Sequence, residues 1–133
     1  MFVKIVALYA GINILLLLGL GLATALTRQR RRVVLGDGGD DAMRRMIRAH
    51  GNAAEYIPAG IAGLVLLAWL EPATPAWLIH AAGLTLTAGR VLHAGGLLMG
   101  PLNIGRMAGM LLTFASYLLI GGGLIVLSAT ERF

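Results

Sequence analysis

The 133-residue sequence contains no cysteine and only six acidic residues, and charged residues of both signs make up 13% of it. Without cysteine, the chain can form neither disulfides nor thiolate catalytic or metal sites. Three histidines, at positions 50, 80 and 93, are too dispersed to predict a zinc site. Soluble domains are about 25% charged, whereas this chain is 58% hydrophobic with a mean hydropathy of +0.82. We interpret it as one membrane domain spanning residues 1–133.

Long apolar stretches predict an all-α integral membrane protein whose protomer is a four-helix bundle. A membrane-spanning helix needs about 20 mostly apolar residues. The segment EPATP contains Pro72 and Pro75, which predict a tight turn and therefore an antiparallel pair of helices on either side of it. The predicted spans are at about 5–26, 51–70, 76–99 and 106–128.

Basic residues are concentrated on one predicted face of the membrane. The first loop, 27–47, carries six arginines, and the third loop is followed by Arg106. Since short arginine-rich loops stay in the cytoplasm, we expect both termini of this multi-pass protein to be periplasmic. The Ala/Gly/Arg-rich composition favours a bacterial inner membrane. Arginines beside apolar spans are explained by orientation, so we predict no nucleic-acid partner, despite the sequence pI of about 10.8. Positive charges that follow the first apolar stretch, rather than precede it, argue against a cleaved secretory signal.

The segment RAHGNAAEYIP, residues 48–58, places polar side chains at the mouth of the second span. The apolar run that follows is only about 22 Å long as a helix, so the span must begin near residue 51. Arg48, Asn52 and Glu55 then form one helical stripe at i, i+4 and i+7. A carboxylate facing lipid is unfavourable. We therefore expect Glu55 to turn inward and pair with Arg90 of the third span.

Arginines from three helices are predicted to converge near the cytoplasmic side. Arg90 and His93 share one face of the third helix, and Arg106 begins the fourth. Glu55 alone cannot balance Arg48, Arg90 and Arg106, and excess buried positive charge requires an anion. One alternative is that the polar groups only lock the helices together.

The pattern Arg48, Asn52, Glu55 and Pro58 resembles the signature of the MAPEG family, the membrane-associated proteins in eicosanoid and glutathione metabolism. Arg90 and Arg106 resemble the arginines of that family's third and fourth helices. The resemblance covers nearly the whole chain and implies a homotrimer that binds glutathione, as a co-substrate, between subunits. The implied glutathione-binding residues are Arg48, Asn52, Glu55, Tyr56, Arg90 and His93, and the implied catalytic residue is Arg106.

The function implied by this resemblance is a glutathione transferase or peroxidase of detoxification, acting on hydrophobic electrophiles dissolved in the bilayer. Its expected partners are a second and third copy of the chain, membrane lipid and a hydrophobic small molecule; no metal is expected. Leu97 and Met107 stand where some family members have tyrosine and serine, which favours glutathione binding over any particular reaction. The alternative is a non-catalytic membrane protein that binds a lipid or another anion in the polar cluster. A small multidrug exporter is disfavoured because the first helix has no acidic residue.

Overall fold

The computed structural model describes residues 2–130 and contains four helices. They are α1 (Phe2–Arg31), α2 (Asp41–Trp69), α3 (Ala76–Met99) and α4 (Ile104–Thr130). The predicted all-α four-helix bundle is confirmed. The first loop is shorter than the predicted 27–47, because α1 continues to Arg31 and α2 begins at Asp41. The predicted periplasmic location of both termini concerns residues 1 and 131–133, which lie outside the described range.

The start of α2 is determined by a helix cap. The Asp40 carboxylate accepts a hydrogen bond from the Met43 backbone N–H at 2.9 Å, as an N-cap side chain should. Asp37, in the same loop, accepts a 2.7 Å bond from Arg44. This bond to the guanidinium holds the pKa of the Asp37 carboxyl below its usual value. The pair therefore keeps both charges at neutral pH and is lost only as the pH falls through that lowered pKa.

Three of the four helices, α1, α2 and α4, are long and apolar enough to cross a membrane. Helix α3, with 24 residues, is not among them, because His80, Arg90 and His93 interrupt its apolar sequence. It packs against each of the other three helices. Polar side chains within a membrane protein are tolerated where protein, rather than lipid, surrounds them. The composition of α3 therefore fits its central position.

Two apolar clusters lie along the bundle, and polar side chains lie between them. One contains Leu64, Leu86 and Ile120, and the other contains Leu20, Ala53 and Ala94, each with further neighbours. Along α3, Arg90 lies between Leu86 and Ala94. Buried polar groups at this level include Arg90 and His93 of α3 and Thr113 of α4. This polar layer positions the candidate site.

Candidate anion-binding site

The site depends on an unusually close approach between α3 and α4. A side chain at Gly96 would collide with the Arg106 backbone nitrogen, and one at Gly109 would collide with the backbone of His93. Both positions therefore exclude any residue larger than glycine without a backbone shift. The close approach brings the side chains of α3 within reach of the α4 backbone, where small-residue contacts commonly join membrane helices.

Arg90 lies at the centre of the polar layer and is 1% exposed. Its Nε donates to Thr113 Oγ1 at 2.9 Å, and its Nη1 donates to Asn52 Oδ1 at 2.6 Å. Its Nη2 also donates to Thr113 Oγ1, at 2.5 Å, and to the Met110 sulfur at 3.4 Å. The Tyr56 ring stacks on the guanidinium, with 4.8 Å between Cζ and the ring centroid. All of these partners are neutral, so no residue in the described part of the chain compensates the positive charge of Arg90.

The predicted Glu55–Arg90 ion pair is wrong for the protomer. Glu55 is exposed, and among residues 2–130 it takes part in no ion pair. The physical reason is the rotation of α2, whose buried side runs through Ala49, Ala53 and Ile57. At about 100° per residue, Glu55 lies nearly opposite Ala53 on the helix. The neutral carboxamide of Asn52 accepts the Arg90 hydrogen bond instead.

The backbone of Arg106 is held from both sides. Asn103 caps α4, since its Oδ1 accepts from the Arg106 backbone N–H at 3.0 Å. Its Nδ2 donates to the Gly96 carbonyl at 2.7 Å, which ties the cap to α3. The Arg106 carbonyl lies 2.9 Å from His93 Nδ1. Because a carbonyl only accepts, Nδ1 carries the proton, and in the neutral ring Nε2 is left as an acceptor.

A cavity of about 440 Å³ opens beside these groups. Its polar lining consists of Arg48, Asn52, His93 and Arg106, and no carboxylate of residues 2–130 lines it. The rest of its wall is apolar, consisting of Leu97, Leu102, Met107, Met110 and Leu111. The Arg106 guanidinium donates to the Pro101 carbonyl at 2.7 Å at the edge of the site. A cavity with two arginines, no acid and one apolar wall suits an anion that carries or meets an apolar group.

The structure brings together most of the predicted site residues, but in two layers. Arg48, Asn52, His93 and Arg106 line the cavity. Arg90 lies behind Asn52, and Tyr56 packs on Arg90, so both reach the cavity only through other side chains. The predicted stripe on α2 is divided, because Arg48 and Asn52 meet the cavity while Glu55 does not.

Two residues important to the site, Thr113 and Asn103, were missed by the sequence analysis. Thr113 lies seven residues after Arg106, two helical turns further along the same face, so helical spacing could have indicated it. Asn103 lies three residues before Arg106, at the position where a capping asparagine is expected.

Replacing Thr113 with valine is expected to destabilise the protein by more than about 1 kcal/mol, since Arg90 would lose its only oxygen acceptor on α4. Thr85→Val is the matched control, because the Thr85 hydroxyl bonds only to carbonyls of its own helix. Thermal unfolding in detergent should show a lower midpoint for Thr113→Val than for Thr85→Val. Equal midpoints would mean that Arg90 does not need this acceptor.

The fold and the cavity together define a class: a helical membrane protein with a cationic pocket. The chain belongs to the MAPEG family, whose sequence profile matches residues 6–126. It is 38% identical over 115 residues to the inner membrane protein YecN of Escherichia coli strain K12, covering 86% of this chain and 85% of that protein. The YecN of Escherichia coli O6:H1 strain CFT073 matches to the same extent. The chain is thus an integral membrane protein of the glutathione and eicosanoid metabolism family, and these relatives support an inner-membrane location.

Proposed function

We propose that this protein binds glutathione in the cavity and transfers it to hydrophobic electrophiles, or uses it to reduce lipid peroxides, in a bacterial inner membrane. The observation that carries the proposal is the cavity itself: arginines from α2 and α4 line it, Arg90 lies behind it, and its described lining contains no carboxylate. Membership of the MAPEG family supports the choice of glutathione among anions.

Glutathione offers the charges that this cavity lacks. The tripeptide carries two carboxylates, and a guanidinium can bind a carboxylate through two parallel hydrogen bonds. Arg48 and Arg106 both line the cavity and can each serve one carboxylate or the sulfur. The Nε2 of His93 and the amide of Asn52 remain for the peptide groups. The volume of about 440 Å³ is within the range of about 300–1,000 Å³ that is usual for small-molecule sites.

The chemistry requires the thiolate of glutathione. A free thiol has a pKa near 8.5, and a neighbouring cation lowers it. Arg106 is the residue we assign to this role, because its backbone is fixed while its side chain lies at the cavity edge. In a transfer, the sulfur attacks an electrophilic carbon, the leaving group departs with the bonding electrons, and the thiol proton goes to solvent. In a peroxidase reaction, two glutathiones are oxidised to a disulfide while a hydroperoxide becomes an alcohol and water.

The apolar wall supplies the route for the second substrate. Leu102, Met107 and Leu111 line the cavity and are also exposed on the outer surface of the protomer. In a membrane that surface faces either lipid or another subunit. A hydrophobic compound dissolved in the bilayer can therefore reach the sulfur without crossing water.

The exposed position of Glu55 supports our proposal that the protein assembles into a homotrimer. Its carboxylate is exposed on a helix that is long and apolar enough to span the membrane. A charged side chain that faces lipid is unfavourable, by roughly 2.5–3.5 kcal/mol at the bilayer centre on insertion scales and by less towards the edge, where Glu55 lies. A neighbouring subunit would remove Glu55 from lipid and complete the site, and the carboxylate could then meet the ammonium group of glutathione. We place the site on the cytoplasmic side and both termini in the periplasm, because the arginine-rich first loop lies at that end.

The test is calorimetry with glutathione in detergent, combined with a conjugation assay using a chlorinated dinitrobenzene. We expect micromolar to millimolar binding with turnover. S-methylglutathione is the control ligand: it should bind but not react, since its sulfur cannot ionise. Absence of glutathione binding, with an anionic phospholipid co-purified, would replace this proposal with a lipid-binding function of the same cavity.

A further inference from the structure

A second cationic surface lies on the loop between α1 and α2, apart from the cavity. Six arginines and three aspartates occur between residues 28 and 45. Three ion pairs engage all the aspartates: Arg31–Asp40, Arg44–Asp37 and Arg44–Asp41. Within residues 2–130, Arg30 and Arg32 take part in no ion pair, and both are exposed. The acids of the loop are thus already occupied, and the positive charge of Arg30 and Arg32 faces outward.

The tip of the same loop is apolar. Val34 is 95% exposed and Leu35 is 89% exposed, the two largest values among the large hydrophobic side chains that the structure describes. Val33, by contrast, is half-buried against Gly38. Two adjacent aliphatic side chains with almost no protein contact are unfavourable in water, at about 25 cal/mol per Å². Contact with an apolar phase or an apolar partner would therefore stabilise them.

The loop is held close to the end of the apolar part of α1. Leu26 is the last apolar residue of that helix, and Arg28 follows within one turn. The Arg28 Nη1 donates to the Gly36 carbonyl at 2.8 Å, which folds the loop back towards the helix. Arg32, with a φ of 55°, ends α1 and turns the chain. In a membrane spanned by α1, this geometry would hold Val34 and Leu35 near the boundary between the hydrocarbon layer and the lipid headgroups.

We propose that this loop surface, consisting of Arg30, Arg32, Val34 and Leu35, binds anionic phospholipids at the bilayer interface. The two arginines contact headgroup phosphates while the two aliphatic side chains enter the upper acyl region. A free phosphate ion would use only the arginines and leave Val34 and Leu35 in water, so the bilayer surface fits both features. This inference is independent of glutathione and of the cavity.

The test uses Leu35→Trp in a background of Trp69→Phe and Trp77→Phe, so that residue 35 is the sole fluorophore. The protein is placed in nanodiscs of one fixed mixture of phosphatidylglycerol and phosphatidylcholine. Bromine is carried on the acyl chains of either one lipid or the other, at equal mole fraction. Overall membrane charge is then constant, and the ratio of quenching reports which lipid surrounds the loop. We expect blue-shifted emission and severalfold stronger quenching by brominated phosphatidylglycerol.

Arginine variants separate lipid binding from a role in orientation alone. Each arginine near an anionic surface contributes about a fivefold preference, so Arg30→Gln with Arg32→Gln should abolish the difference in quenching. Lys4→Gln, at the opposite end of the bundle, is the control and should leave it unchanged. Equal quenching by both brominated lipids in the reporter protein with both arginines present would overturn the proposal. So would a preference for phosphatidylglycerol that remains after both arginines are replaced. Emission typical of an indole in water would also overturn it. The loop would then either face solvent or bind another protein.

Discussion

Arg106→Leu is expected to abolish formation of the glutathione thiolate and to lower the rate of conjugation at least about 100-fold, the scale found when a preorganised charge partner is removed. The structure gives the reason for expecting a local effect. The backbone of Arg106 is held by Asn103 and His93, and these bonds do not depend on the side chain. The measurement is the ultraviolet absorbance of the thiolate on glutathione binding, followed by the conjugation rate.

Arg106→Lys and Arg45→Leu complete this experiment. Lysine keeps a positive charge and should retain part of the thiolate signal. Arg45 lies outside the cavity lining, so its loss should change neither reading. A thiolate signal of full size in Arg106→Leu would remove Arg106 from the mechanism, and the cation responsible would then have to be sought at Arg48.

Asn52→Asp is expected to weaken glutathione binding about 100-fold while leaving the fold as stable as before, or more stable. The variant has almost the same shape, but it places a carboxylate on the buried Arg90 guanidinium, now 2.6 Å from the Asn52 oxygen. The new charge would offset the positive charge of Arg90, which in our proposal adds to the attraction that Arg48 and Arg106 exert on anions. A unit charge about 6 Å from a ligand contributes about 2.8 kcal/mol at an effective dielectric constant of about 20. Calorimetry and thermal unfolding on the same samples test both halves of the prediction.

Gln29→Glu is the charge-matched control for this experiment, because it makes the same amide-to-carboxylate change at an exposed position of α1. It should leave the affinity for glutathione unaltered. If Asn52→Asp bound glutathione as tightly as the unaltered protein, the uncompensated charge of Arg90 would not be what attracts the ligand. If both variants weakened binding equally, a general effect of net charge would explain the result.

The helices could be predicted because their signals are local. An apolar stretch can be recognised from its own residues, and the prolines at 72 and 75 act on the few residues around them. The helix ends were less predictable. Helix α1 runs five residues past the predicted end of its span, since arginines are good helix formers and nothing in TRQRR stops a helix.

For the site, the sequence could predict only which residues of one helix share a face, because this follows from helical spacing. Spacing placed Arg48 with Asn52 and suggested that Arg90 shares a face with His93, and the cavity contains three of these four. Spacing could not show which side of α2 faces α3, because Glu55 and Asn52 both lie near the same stripe. The buried row of Ala49, Ala53 and Ile57 decides this rotation, and it puts the carboxylate outside. The predicted Glu55–Arg90 ion pair is therefore wrong because α2 is rotated about its axis by less than one turn from the orientation that the pair needs.

The close approach of α3 to α4 could not be predicted from the sequence, for a different reason. Gly96 and Gly109 lie on different helices, and their meeting depends on how far one helix slides along the other. The sequence shows that Gly105 and Gly109 are four residues apart on one helix, but it does not show which residue of α3 meets Gly109. The same relative position of the two helices makes Thr113 important, because it places the Thr113 hydroxyl beside two nitrogens of Arg90.

The bond from the Arg106 guanidinium to the Pro101 carbonyl gives this side chain a resting position in the absence of a ligand. A carbonyl is a weaker acceptor than an ionised sulfur or a carboxylate. An arriving anion can therefore exchange with it by a rotation of one side chain, while the main chain of α4 stays where Asn103 and His93 hold it. Recruitment of the cation would then cost little reorganisation, and the empty protein would avoid exposing a bare guanidinium to the membrane.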